Sequence, residues 1–232
     1  MQNKTLERIV RHLIIYSASL DNIGLMNGKM GIALFFYHLH NITKNENHLR
    51  FANELTQHIM SKLDYKIPRT FFDGLIGIAW GFDHLIRNHF IDFEDEDILE
   101  DLDKALLEIN ITNLFDESFS TGVRGIAFYI ASRCSGKEKI PAPFCQEYIH
   151  ELVARMNRIE QKDPVTIQIQ NQLQQVMNGH IIEYDLNPFY YLTGNEPYND
   201  VNLFLPNRNI GILNNGYTGM ALRILKNIES NQ

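Results

Sequence analysis

The sequence predicts an all-α protein made of repeated helical hairpins. Three observations carry that reading: an ungapped internal repeat, apolar stripes of helical period between the copies, and weak strand signals throughout. The copies are NGKMGIALFFYHL from Asn27, DGLIGIAWGFDHL from Asp73, TGVRGIAFYIASR from Thr121 and NGYTGMALRILKN from Asn215. Each has a short polar residue, Gly, two free positions, Gly, an aliphatic residue and Ala. The second glycines are separated by 46 residues (Gly31 to Gly77), 48 (Gly77 to Gly125) and 94 (Gly125 to Gly219). The last interval is about double, as if one copy had decayed, and the segment from Val165 to Met177 is either that copy or an extra outer helix.

Each copy reads as a helix start. Asn27, Asp73, Thr121 and Asn215 are residue types whose side-chain oxygens accept from first-turn amides, so they are expected as N-caps. The glycines weaken a helix by about 1 kcal/mol each relative to Ala, so their recurrence at one register predicts a packing reason, with neighbouring helix starts crowding together. Beyond them the segments are apolar on all sides, as in Gly77-Ile78-Ala79-Trp80-Gly81-Phe82, which predicts buried inner helices. Between them run one-sided stripes: Leu49, Ala52, Leu55, Ile59, Leu63; then Ile98, Leu99, Leu102, Leu106, Ile109; then Phe144, Tyr148, Leu152, Met156, Ile159. These predict outer helices. Residues 190–209, rich in Asn, Pro and Gly, read as a long loop. The architecture expected is an incomplete α/α toroid of about four to five hairpins, as one domain over residues 1–232.

Composition narrows function. Hydrophobic residues make up 44% of the 232, enough for a sizeable core. The 28 acidic and 21 basic residues give a net charge of -7, which argues against a nucleic-acid partner. Two cysteines, Cys134 and Cys145, point to a reduced, cytoplasmic chain rather than a disulfide scaffold. No apolar run is long enough for a membrane span. The start carries Lys4, Arg8 and Arg11 before a short apolar run, the outline of a signal peptide. Arg8 and Arg11 interrupt that run, and Leu6, Ile9, Val10, Leu13 and Ile14 fall at helical spacing.

The glycine-headed copies at this period resemble the lanthionine synthetase C-like family, over residues 20–135 and again over 210–228. Residues 67–102 resemble versions found beside bacterial peptide-modification genes. The resemblance implies a toroid whose inner helices begin with Gly-x-x-Gly-aliphatic turns. In the family's synthetases two cysteines and a histidine at late inner-helix starts hold zinc, which activates a substrate thiol for addition to a dehydrated Ser or Thr. Here the corresponding starts, Phe119-Ser120-Thr121-Gly122 and Leu213-Asn214-Asn215-Gly216, contain neither residue type. Cys134 lies about twelve residues into its helix, roughly 18 Å from the turn. No cofactor is therefore expected. The resemblance then implies an accessory or binding protein, with a peptide substrate or a peptide-modifying enzyme as partner.

Several candidate sites follow from the residues. Lys29 and Arg124 occupy free positions inside two turns, where converging helix N-termini favour anions, so with Asn27 and Asn215 they are candidate ligand-binding residues. His180, Glu183 and Asp185, in an irregular segment after Gly179, are expected over the same mouth. Cys134, Cys145 and His180 are a possible zinc trio for an alternative reading as a thioether cyclase. Asp83-His84, in register with Tyr37-His38, are a candidate acid–base pair or the polar far ends of inner helices. Asp73 is a cap or, in an alternative resembling six-hairpin glycosidases, a catalytic carboxylate with Glu117, Glu183 or Asp185 as its partner. The run Asp92-Phe93-Glu94-Asp95-Glu96-Asp97 lacks the pattern of a calcium loop and reads as a solvated helix start. An incomplete ring exposes apolar ends, which predicts self-association, for instance as a homodimer.

Overall fold

A computed structural model of the chain describes residues 2–64, 66–91, 97–194, 209–213 and 216–229. Among them are helices and no strand: α1 (Gln2–Ser17), α2 (Lys29–Thr43), α3 (Glu46–Lys62), α4 (Leu75–Arg87), α5 (Asp97–Leu107), a 3-10 turn (Ile111–Asn113), α6 (Val123–Cys134), α7 (Gln146–Asn157), α8 (Pro164–Met177), α9 (Asn187–Leu192) and α10 (Tyr217–Glu229). The acidic run 92–96 lies outside the described residues. The chain divides into two compact units, Met1–Asp64 with Phe189–Gln232, and Tyr65–Pro188.

Burial separates inner from outer helices as the sequence predicts. Every residue of α4 from Leu75 to Leu85 is buried, as are Val123 and residues 125–134 of α6. In contrast α3 buries only Ala52, Leu55, Thr56 and Ile59, and α7 one stripe around Ile149, Leu152 and Met156. An all-round apolar surface needs neighbours on every side, whereas a single stripe needs one.

The helix starts differ from expectation. Asn27, Asp73 and Thr121 are not the caps; Asn215 lies outside the described residues. The capping residues are Gly28, Gly74 and Gly122, all extended, and none caps through a side chain. The loop entering each helix doubles back instead, and its backbone carbonyls accept the first-turn amides. Asn22 O accepts from Lys29 N at 2.9 Å, Pro68 O from Leu75 N at 2.9 Å, and Asp116 O from Val123 N at 2.9 Å. Asn209 O and Ile210 O do the same for Tyr217 and Thr218 of α10, at 2.9 and 3.2 Å. Amides that otherwise need a side chain or water are thus satisfied by main chain.

That return of the chain is the packing reason for the glycines. A Cβ on Gly31, Gly125 or Gly219 would collide with the carbonyl of Leu25, Phe119 or Ile212 respectively. Adjacent repeats crowd the same positions. Within the second unit Phe71 N donates to Ser120 O at 2.9 Å, and the Phe71 Cβ lies 2.5 Å from where a Gly125 Cβ would sit. Within the first unit Ile212 N donates to Met26 O at 2.6 Å, and Ile212 Cδ1 lies 2.7 Å from a Gly31 Cβ. Phe71 and Ile212 hold equivalent places ahead of their helices, so the last repeat docks on the first in the register by which the second docks on the third. α10 accordingly packs against α2 and α1.

The 94-residue interval is accounted for by α8. It follows outer α7 and packs on both α7 and inner α6, as α4 packs on α6, so it holds the place of an inner helix. It has lost the glycine turn and buries a single stripe, Val165, Thr166, Ile169 and Leu173. Its start uses the side-chain device the other copies dispense with: Asp163 accepts from Thr166 N at 2.7 Å, with Pro164 in the first turn.

In the first unit, burial of His38 on α2 pushes its pKa down to about 4, and Glu229 of α10 stands 3.9 Å away with its own pKa raised by burial. Between pH 6.5 and 4 the unfolded chain binds a proton that folded His38 refuses, so this histidine removes stability as pH falls through that window. Glu229 acts in the opposite sense, because the folded carboxyl protonates first. The net loss expected is about 1–2 kcal/mol. Urea unfolding at pH 7.5 and 5 checks it: His38→Gln should show a shallower pH dependence than wild type, and an equal slope would assign the effect elsewhere.

Candidate functional site

The expected mouth residues are held in different ways. Lys29, first in α2, is only 6% exposed, and its amine has no hydrogen bond or ion pair among the described residues. Desolvation lowers its pKa; Asp21 opposes the shift and Lys62 adds to it. His58 lies in the same field, its pKa lowered by desolvation and by Lys29 and Lys62. Asn27 Oδ1 accepts from Asn209 Nδ2 at 2.7 Å, so this polar residue fastens the last repeat's loop to the first. In the second unit Arg124 is an engaged cation: Nη1 lies 3.2 Å from Asp163 Oδ2, and Nη2 donates to Gln161 O at 2.8 Å. It anchors the start of α8. Thr121 donates to Asp116, whose carboxyl sits below its ordinary range because Thr121 and Ser118 hydrogen-bond to it. The first amides of α2, α4 and α6 are each taken by a loop carbonyl, so within each unit an anion approaching that helix start meets one fewer free helix N–H group.

The segment after Gly179 does not fold over the start of α6. Ile182 O accepts from Gly136 N at 2.9 Å, just past the C-terminus of α6, and Tyr184 OH pairs with His84 Nδ1 at 2.9 Å near the end of α4. His180 and Glu183 are exposed. Asp185 bonds Gln168 and accepts from Asn187 N, opening α9. Gly136 and Gly179, both at positive φ, turn the chain out of α6 and α8 at that end.

Asp83 and His84 also stand at the C-terminal end of α4, but as parts of a bonded network. Asp83 pairs with Arg87 at 2.7 Å and Arg133 at 3.1 Å, and Arg133 pairs with Asp103 of α5 at 2.7 Å. Tyr129 OH donates to the other Asp103 oxygen. Burial raises the Asp103 pKa, against the pull of Arg133 and Tyr129. Arg87 also donates to the carbonyls of Ser132 and Ser135. Two carboxylates and two guanidiniums thus tie three helices together. His84 stacks on Trp80 at 5.4 Å, and Trp80 donates to Ser132. These contacts make the pair a structural joint. The equivalent Tyr37 bonds Asn53 at 2.7 Å. The sequence reading missed Arg87, Asp103, Tyr129 and Arg133; the available signal was Asp103 on the apolar stripe between Leu102 and Leu106.

Asp73 is half-buried beside Gly74. Of the carboxylates considered as its partner, Glu117 pairs with Arg155 at 3.4 Å and Asp185 is bonded as above. Cys134 and His180 line one cleft, while Cys145 is exposed at the start of α7. Among the described residues no group of three or more His, Cys, Asp or Glu is arranged to hold a metal ion. Burial pushes the Cys134 thiol up to about 11, away from the thiolate a zinc site requires. The residues present at the described helix starts and around Cys134 therefore do not fit a zinc ion.

A family model for lanthionine synthetase C-like proteins matches residues 19–175. The chain belongs to that family. The match runs past the three clear glycine turns through α7 and most of α8. The all-α hairpin fold is that of the family's α/α toroids. No curated protein matches the chain, and no described helix of this lanthionine synthetase C-like protein is long and apolar enough to cross a membrane.

Proposed function

We propose that this lanthionine synthetase C-like protein is a zinc-less accessory of bacterial peptide modification, cytoplasmic, which binds a precursor peptide or a modifying enzyme and does not itself close thioether rings. The cysteines argue for this: one is buried at the far end of α6 with its thiol pKa raised, the other is exposed at the start of α7, and the start of α6, which corresponds to a ligand-bearing turn of the family's synthetases, has Thr121 and no thiol.

The observation that carries the binding reading is Lys29. A desolvated ammonium with no hydrogen bond or ion pair among the described residues is costly, and an incoming carboxylate would relieve that cost. Arg124, already paired with Asp163, supports structure instead. Calorimetry with a candidate precursor peptide separates the two roles. Lys29→Gln should weaken binding roughly tenfold, with an unchanged circular dichroism spectrum. Arg124→Gln should leave affinity intact and lower stability by about 1 kcal/mol. Unchanged affinity for Lys29→Gln would refute the mouth assignment, and one zinc per chain by elemental analysis would refute the zinc-less reading.

A further inference from the structure

At the C-terminal ends of α6 and α8 lies a cleft of about 590 Å³ including its open mouth. Two left-handed glycines build it. Gly136, at φ 70°, carries the chain out of α6 so that Lys137 and Lys139 stand on one wall. Gly179, at φ 75°, closes α8 with His180 N donating to Gln175 O at 3.0 Å, and puts His180 on the cleft as well. Gly136 N bonded to Ile182 O at 2.9 Å fixes the two turns to each other. Gln146, the first residue of the twelve-residue α7, adds an amide, and its Nε2 reaches Met177 O at 3.4 Å.

The charge of this cleft runs against that of the protein. The chain carries -7, yet Lys137, Lys139 and His180 face the cleft with Glu138 as the one acidic residue among the described residues lining it. Lys139 and His180 are exposed, and their side chains have no hydrogen bond or ion pair among the described residues. Cys134, Val176 and Met177 supply an apolar part of the lining, which strengthens a charge pairing beside it. Concave shape, a partly apolar lining and convergent donors are the features of a small-ligand site.

We propose that this cleft binds an oxyanion, the carboxylate or phosphate of a small ligand or of one peptide side chain, between Lys139 and His180. It lies wholly within the second unit and at the end of α6 opposite Thr121, so it is independent of the binding assigned to Lys29.

The test uses the full chain labelled with ¹³C at the histidine rings, with the His180 resonance assigned from His180→Gln. Sodium phosphate and sodium acetate are titrated in separate arms at constant ionic strength, balanced with chloride. A saturable shift of the His180 resonance is expected in at least one arm, and Lys139→Gln should raise the half-saturating concentration about tenfold. Saturation by phosphate alone identifies a phosphate ester as the natural group; saturation by acetate identifies a carboxylate. Absence of saturation in both arms, or a Lys139→Gln variant that saturates like wild type, would overturn the proposal.

Discussion

Gly125→Ala is expected to destabilise the protein by about 3–4 kcal/mol, read as a fall in the urea midpoint. The added methyl meets the Phe119 carbonyl on one side and the Phe71 Cβ at 2.5 Å on the other. The first belongs to the loop that caps α6, the second to a residue whose N–H bonds Ser120 in the next repeat. Neither can withdraw without breaking main-chain hydrogen bonds, so the loss exceeds what helix propensity alone would predict, since propensity favours alanine. Gly179→Ala is the control. It has open space around it and only the conformational cost of a positive φ, about 1 kcal/mol. Equal effects of the two substitutions would mean that the glycine turns serve backbone freedom rather than close packing.

The second large effect is expected at Asp103. Asp103→Ala strips Arg133 of one of its two carboxylates and leaves Tyr129 OH without its acceptor, all in buried surroundings. A loss of about 3–5 kcal/mol is expected in the same unfolding measurement, because a charge is left short of compensation. The double variant Asp103→Leu with Arg133→Met should recover at least half of it, since the isolated charge goes too; Asp83 still has Arg87. If the double variant were as unstable as the single one, shape rather than charge would be what the network supplies.

Much of this fold could be read from the sequence because burial leaves a plain record. The all-apolar runs after Gly31, Gly77 and Gly125 became the inner helices α2, α4 and α6, and the one-sided stripes became α3, α5 and α7. The capping residues could not be read correctly. Asn, Asp and Thr are good caps by side-chain chemistry, and nothing local reveals that a carbonyl seven residues earlier will be present to replace them. α8 was ambiguous for a related reason: without its glycines, a Pro-started helix with one apolar stripe looks like any outer helix. The candidate sites fared unevenly. Lys29 stands at its helix start with no hydrogen bond or ion pair to its amine among the described residues, whereas Arg124 met a partner, Asp163, that is 39 positions away in the chain. His180 went to the opposite end of α6 because the course of residues 179–186 depends on two long-range bonds, Gly136 to Ile182 and His84 to Tyr184.

Main-chain capping has a consequence for what such a scaffold can become. Where a helix depends on its own side-chain cap, the residue at that place is committed to holding the helix and exchange carries a penalty. Here the polar position ahead of each glycine is released from that duty, since α2, α4 and α6 begin equally well behind Asn27, Asp73 and Thr121. Each of these three repeats thereby offers a mounting point beside the first turn of an inner helix whose occupant can be exchanged for another reactive or binding group while the frame stands. Chemistry and architecture are separable at that point, so one toroid can serve as a catalyst in one lineage and as a docking platform in another.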